Sequence, residues 1–249
     1  MMETAKLDYI FNLLARPWDD RELGIIFRHC LDRAIDFPNT GTIRVEDIEK
    51  SAKTAIGTHV EVALRKLSGL PHGPTLDLIL PDETQVDIKW STGQRCKPGV
   101  SWMIPTETFG HYAAIATAWD CPETSFFSLG FIGIEPDGSN LSAPNKDQKR
   151  GIPKSTRESA MWLYRNEEMP RNILLSKSDE EIAEIYAASA GVQRMAKALK
   201  LFGSLTAMQI KLFDTIAPLL KLPEVREILS QDHFNVGVDT DGTWHSSPK

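Results

Sequence analysis

The chain predicts an α/β fold: a mixed central sheet flanked by helices, followed by a small helical module that ends in a hairpin. Three observations carry this. Apolar residues recur at helical spacing in the first part of the chain, as in Ile56, Val60, Ala63, Leu64 and Leu67. From Thr75 to Ile134 the pattern changes to short runs that alternate or are rich in β-branched and aromatic residues. Beyond Asn172 the helical spacing returns, and this order of helices and strands gives a layered α/β core. With 249 residues, 41% of them hydrophobic, the chain can bury a core as one large or two modest domains. The stretch Glu167–Asn172, containing Met169-Pro170, reads as a boundary, so residues 1–168 and 169–249 are expected as separate domains.

In chain order, helices are expected at residues 4–15 and 20–36, the second capped by Asp19 or Asp20, and at 46–68. A hairpin follows at 75–90. Ser91–Ser101, rich in glycine, polar and basic residues, reads as a loop. Tyr112–Trp119 and Ser125–Ile134 read as strands, with Trp102 and Trp119 in the core. Further helices are expected at 178–189, 191–202 and 206–220, the last capped by Thr206, and from Leu222 to about Ser230. Phe234–Trp244 reads as a hairpin around Asp239-Thr240-Asp241-Gly242. Helices followed by a hairpin are compatible with a winged helix that places one helix in a DNA groove, and equally with a plain support or oligomerisation module. The polar tail from Ser246 is expected to be disordered.

Composition narrows the class. No apolar run approaches membrane-spanning length, and Glu3 and Asp8 argue against a signal peptide. Cys30, Cys96 and Cys121 match neither a disulfide framework nor a zinc spacing, so reduced thiols in a cytoplasmic protein are expected.

The chemistry concentrates in two runs. Thr75-Leu76-Asp77-Leu78-Ile79-Leu80 and Gln85-Val86-Asp87-Ile88-Lys89-Trp90 carry charges inside apolar strands, which is costly unless they pair or perform chemistry. In the second run Val86, Ile88 and Trp90 share one face, and Gln85, Asp87 and Lys89 the other. A three-residue turn at Pro81-Asp82-Glu83 would pair residue 80 with 84 and hence Asp77 with Asp87. A slip of one residue would turn Asp77 to the wrong side. Glu61, on the margin of the preceding helix's apolar stripe, can reach the sheet edge. Carboxylates of this kind would hold Mg²⁺, which takes oxygen ligands, and Lys89 would serve the attacking water. On the residues alone, an exposed hairpin with alternating charges remains the alternative.

The spacing of Glu61, Asp77 and Asp87-x-Lys89 is similar to the metal-site pattern of nucleases with a restriction-endonuclease-like core, the PD-(D/E)xK superfamily. More specifically, three dispersed blocks resemble the NaeI-type type II restriction endonucleases. The first is Lys53–Glu61 with Asp77 and Val86–Ser91, the second Trp102–His111, the third Asn145–Arg150. The likeness covers most of residues 25–165 and, more loosely, 185–235. It implies Glu61, Asp77, Asp87 and Lys89 as catalytic residues, the three carboxylates as metal ligands, Mg²⁺ as cofactor and double-stranded DNA as substrate. It also implies a winged-helix DNA-binding domain after the nuclease, a region that reads as shortened in this chain.

The net charge of −6 is set against local basic clusters. Arg95 and Lys97 follow the second run; Lys146, Lys149, Arg150, Lys154 and Arg157 form another group; Arg194, Lys197 and Lys200 lie on one expected helix. Each alone reads as a solvated face. Beside a metal site they are expected phosphate contacts. Ser91, Gln94 and Arg95 either touch bases or belong to a flexible surface loop. The reading is a site-specific endonuclease cutting both strands of a palindrome as a homodimer. A non-catalytic DNA-binding regulator and a strand-nicking repair endonuclease are the alternatives.

Overall fold

The computed structural model describes residues 4–210, 212–213, 222–232, 234–241 and 243–249. They form two compact units, one of Met1–Ala34 with Ile48–Asn172, the other of Ile35–Asp47 with Ile173–Lys249. No helix of the described residues is long and apolar enough to cross a membrane.

The first unit begins with α1 (Thr4–Ala15) and α2 (Asp20–Ile35). Asp19 caps α2, its Oδ1 accepting from the N–H groups of Arg21 and Glu22 at 3.1 and 3.2 Å. After α3 (Phe37–Thr40) in the second unit, α4 (Lys50–Ser68) starts later than the sequence predicts, because Val45–Asp47 forms a separate 3₁₀ turn. Gly69 ends α4 at φ 68°, a left-handed cap that a side chain would strain.

Five strands then build a mixed sheet in the order β1-β2-β4-β5-β7. They are β1 (Leu78–Ile79), β2 (Gln85–Thr92), β4 (Tyr112–Asp120), β5 (Ser125–Gly133) and β7 (Met161–Met169). Only β2 and β4 run parallel. Short β3 (Met103–Ile104) and β6 (Arg150–Gly151) pair with one another, and α5 (Lys154–Glu158) precedes β7.

One face of the sheet lies under helices. Trp18 stacks on Phe131 at 5.9 Å, and Phe27 packs between Trp90 and Phe127 at 5.3 and 5.4 Å. Helix α4 packs beside Trp90 at Gly57, where a Cβ would sit in ordinary van der Waals contact, 3.6 Å from the Trp90 Cβ. Along β2 this is the side of Val86, Ile88 and Trp90, as the alternation predicts. The opposite side carries Asp87 and Lys89, and further along β4 and β5 a buried cluster of Trp102, Ile104, Ala113, Ile115, Ile132 and Ile134. Trp102 donates its indole N–H to the Ala116 carbonyl at 2.8 Å.

Several expectations are corrected. The first run is paired only at Leu78 and Ile79, because side chains take the ladder's place: Gln85 Oε1 accepts from the N–H groups of Thr75 and Leu76. The Ser91–Ser101 segment is not wholly a loop. Strand β2 continues to Thr92, and Gln94 and Lys97 exchange two backbone hydrogen bonds of 3.0 Å around a tight turn. Strand β7, where the sequence predicts none, lies at the sheet edge, its residues half-buried or exposed except for Met169, with two register shifts against β5.

In the second unit, α6 (Asp179–Tyr186) opens with a Ser178/Glu181 capping box and is followed by α7 (Gly191–Phe202). Then come β8 (Ser204–Leu205), α8 (Ala207–Ile210), α9 (Leu222–Gln231), β9 (Phe234–Val238) and β10 (Trp244–Pro248). Thr206 exchanges hydrogen bonds with Gln209 at the start of α8, as a cap does. The remainder of the expected 206–220 helix lies largely outside the described residues, as does Gly242 of the hairpin. The tail is ordered, contrary to expectation. Buried Trp244 anchors β10 between β8 and β9, and Ser246 bonds the carbonyls of Leu199 and Gly203.

Candidate functional site

The hairpin β1-β2 sets the site. Leu80 and Thr84 close the turn with a 2.8 Å hydrogen bond, and Glu83 takes the left-handed position at φ 66°. Leu78 then faces Val86 and Ile79 faces Gln85. Extended by one residue, this register sets Asp77 opposite Asp87. The Asp77 carboxylate accepts from the backbone N–H of Ile88 at 2.7 Å, which fixes it against β2.

Asp87 is buried, 3% exposed, and both of its oxygens are engaged. Lys89 Nζ lies 2.5 Å from Oδ1, and the buried hydroxyl of Thr108 donates to Oδ2 at 2.5 Å. Burial raises the carboxyl above its ordinary range, and the neighbouring Asp77 adds to this, while Lys89 and Thr108 act in the opposite sense. Glu61 comes from α4, where it pairs with Arg65 at 3.3 Å. Its carboxylate, that of Asp77 and the imidazole of His72 each offer a ligand atom within 4.8 Å of the others. All four expected catalytic residues therefore meet at one sheet edge.

This donor set fits a hard divalent cation. Glu61 and Asp77, from separate elements, bring carboxylate oxygens together, and the neighbouring Asp87 is held toward its neutral form by burial, which its Lys89 partner only partly offsets. Two neighbours went unrecognised in the sequence. Thr108 sits in a 3₁₀ turn, Thr106–Thr108, far from the hairpin in sequence. His72 sits in the loop between α4 and β1.

A model of the restriction endonuclease NaeI family matches residues 12–222 of the chain. The chain belongs to the NaeI restriction endonuclease family. Among curated proteins it is 27% identical over 175 residues to the type II restriction enzyme NaeI of Lentzea aerocolonigenes, covering 70% of this chain and 52% of that protein. It thus spans about half the length of its NaeI relative.

The other residues singled out in this NaeI family member are dispersed. Ser91 is buried and its hydroxyl accepts from the N–H of Ser101 at 2.9 Å. Gln94, Arg95 and Lys97 form the exposed tip beyond β2, with Arg95 and Cys96 both left-handed at φ 50° and 57°. Lys146 and Lys149 are exposed. Arg150 is half-buried, donating to the Gly138 carbonyl and lying over the Phe109 ring. On the sheet face of Asp87 and Lys89 a cleft of about 320 Å³ is lined by Thr117, Ser128, Arg157, Trp162 and Arg165. In the second unit Arg194 donates to the carbonyls of Ala188 and Phe213, each at 3.1 Å. Lys197 bonds the Glu184 carbonyl and Lys200 pairs with Asp232 at 2.9 Å.

Proposed function

We propose that the chain is a Mg²⁺-dependent type II restriction endonuclease that hydrolyses phosphodiester bonds of double-stranded DNA at a specific, palindromic site. The observation that carries this reading is the convergence of Asp77, Asp87, Lys89 and Glu61 at one sheet edge, in a chain of the NaeI family.

Asp77, Asp87 and Glu61 would hold the cation. When bound, it polarises the phosphate and acidifies a coordinated water. Lys89, kept beside Asp87 at 2.5 Å, would offset charge building on the phosphate oxygens and serve the attacking water. Thr108 keeps Asp87 oriented. Glu61, partly exposed, orients a water by accepting its hydrogen.

Exposed Gln94, Arg95 and Lys97 at the β2 tip, with Lys146 and Lys149, are the groups we assign to DNA. Ser91 and Arg150 brace the surfaces that carry them. In the second unit, read as a winged-helix-like DNA-binding module, Lys197 and Lys200 would meet phosphates while Arg194 braces α7. Two equivalent subunits would cut both strands of a palindrome.

Lys89→Ala tests the assignment. The ammonium acts chiefly in the transition state, so cleavage should fall by several orders of magnitude while DNA affinity in a gel-shift assay stays within about threefold. Wild-type cleavage rates in this variant would exclude the role.

A further inference from the structure

The loop Leu70-Pro71-His72-Gly73-Pro74 joins α4 to β1 and is held tightly. The Pro71 carbonyl accepts from the N–H of Ile79 at 3.1 Å. Gly73 is buried, and a Cβ there would lie 2.7 Å from both Gln85 Oε1 and the Leu76 carbonyl oxygen, so the backbone packs where no side chain fits. Prolines on either side restrict the loop further. His72, itself exposed, is therefore carried by a segment whose backbone is packed and hydrogen-bonded against the hairpin.

Its ring is oriented as well. Nδ1 lies 2.5 Å from the Gly73 carbonyl oxygen, which can only accept, so Nδ1 carries the hydrogen. This leaves Nε2 as the ring nitrogen open to a ligated cation, the arrangement found where a backbone carbonyl orients a metal-binding histidine. Carboxylates of Glu61 and Asp77 complete a group whose ligand atoms lie within 4.8 Å of one another. An imidazole among carboxylates changes ion preference. Oxygen donors alone suit Mg²⁺ and Mn²⁺, whereas imidazole nitrogen favours ions later in the first-row series, Co²⁺ among them.

We infer that His72 is a metal ligand, seating a cation together with Glu61 and Asp77 and giving the site a preference for Co²⁺ over Mg²⁺. This rests on the nuclease reading, since Asp77 belongs to both groups.

The test uses the whole chain without DNA. Binding of Mg²⁺, Mn²⁺ and Co²⁺ is measured by calorimetry, and Co²⁺ ligation by its visible absorption. Wild type is compared with His72→Ala, and with His72→Asn, which retains a donor for the Gly73 carbonyl. Thermal melts identify any variant that fails to fold. Both variants should bind Co²⁺ about tenfold or more weakly, with altered Co²⁺ absorption, while Mg²⁺ and Mn²⁺ affinities change by less than about threefold. Unchanged Co²⁺ affinity in folded His72→Asn, or a wild type that prefers Mg²⁺, would overturn the inference while leaving Mg²⁺-dependent cleavage, measured separately on wild type, as support for the nuclease. Absence of both cation binding and cleavage in wild type would overturn both.

Discussion

Asp87 is the side chain on which the electrostatics of the site turn. Burial favours its neutral form, with Asp77 reinforcing the effect and Lys89 and Thr108 opposing it. Because the folded carboxyl is held above its ordinary range, its contribution to stability is fully present in acid and is lost as pH rises through the folded value. At neutral pH the cation-free protein therefore carries a cost that Asp87→Asn removes. In EDTA, this variant should melt at a higher temperature than wild type near pH 7.5, and the difference should close near pH 4. A lower melting temperature at pH 7.5 would show that the Lys89 pair outweighs the burial. Much of this constellation was legible at the residue scale, because a charged residue in an apolar strand must be accounted for. His72 was not, since no periodicity marks a loop residue. Its approach to Glu61 comes from the chain reversal between α4 and β1.

Helix α2 is tied to strand β4 by a buried charge cluster. Arg28 contacts Asp120 at 2.6 Å and Asp32 at 2.7 Å, all three with little exposure. One guanidinium faces two carboxylates, and burial pushes Asp32 up to about 6, with Arg28 opposing the shift and Asp120 adding to it. The unfolded value is about 3.9. Stability from this group is thus present below about pH 4 and lost as pH rises through about 6. Melting curves between pH 4 and 7 should fall more steeply for wild type than for Asp32→Asn, and parallel curves would contradict the assignment. Elements were legible wherever a regular pattern met a clear stop, as in α4 with Gly69 or the hairpin with its three-residue turn. Strand β7 was not, because an edge strand with bulges loses its alternation. Strand β10 was hidden in His245-Ser246-Ser247-Pro248, whose order derives from Trp244 and from pairing on both sides.

At the scale of the molecule, an overall charge of −6 requires that any DNA affinity come from local cationic surfaces. Lys197 and Lys200, both exposed on α7, are the test of the second unit. Replacing both by Gln should weaken binding to specific and unrelated DNA alike and reduce the salt slope by about one per lysine. Arg194 is left intact, because it holds the carbonyls of Ala188 and Phe213. Identical slopes would make this unit a support or dimerisation module. The nuclease assignment itself is tested most directly by incubating the purified chain with a long DNA of known sequence and Mg²⁺, then mapping the fragment ends. The account predicts cuts at one short palindromic sequence on both strands, absent in EDTA and absent with Asp77→Asn. Intact DNA under these conditions, or cleavage undiminished by EDTA, would contradict it.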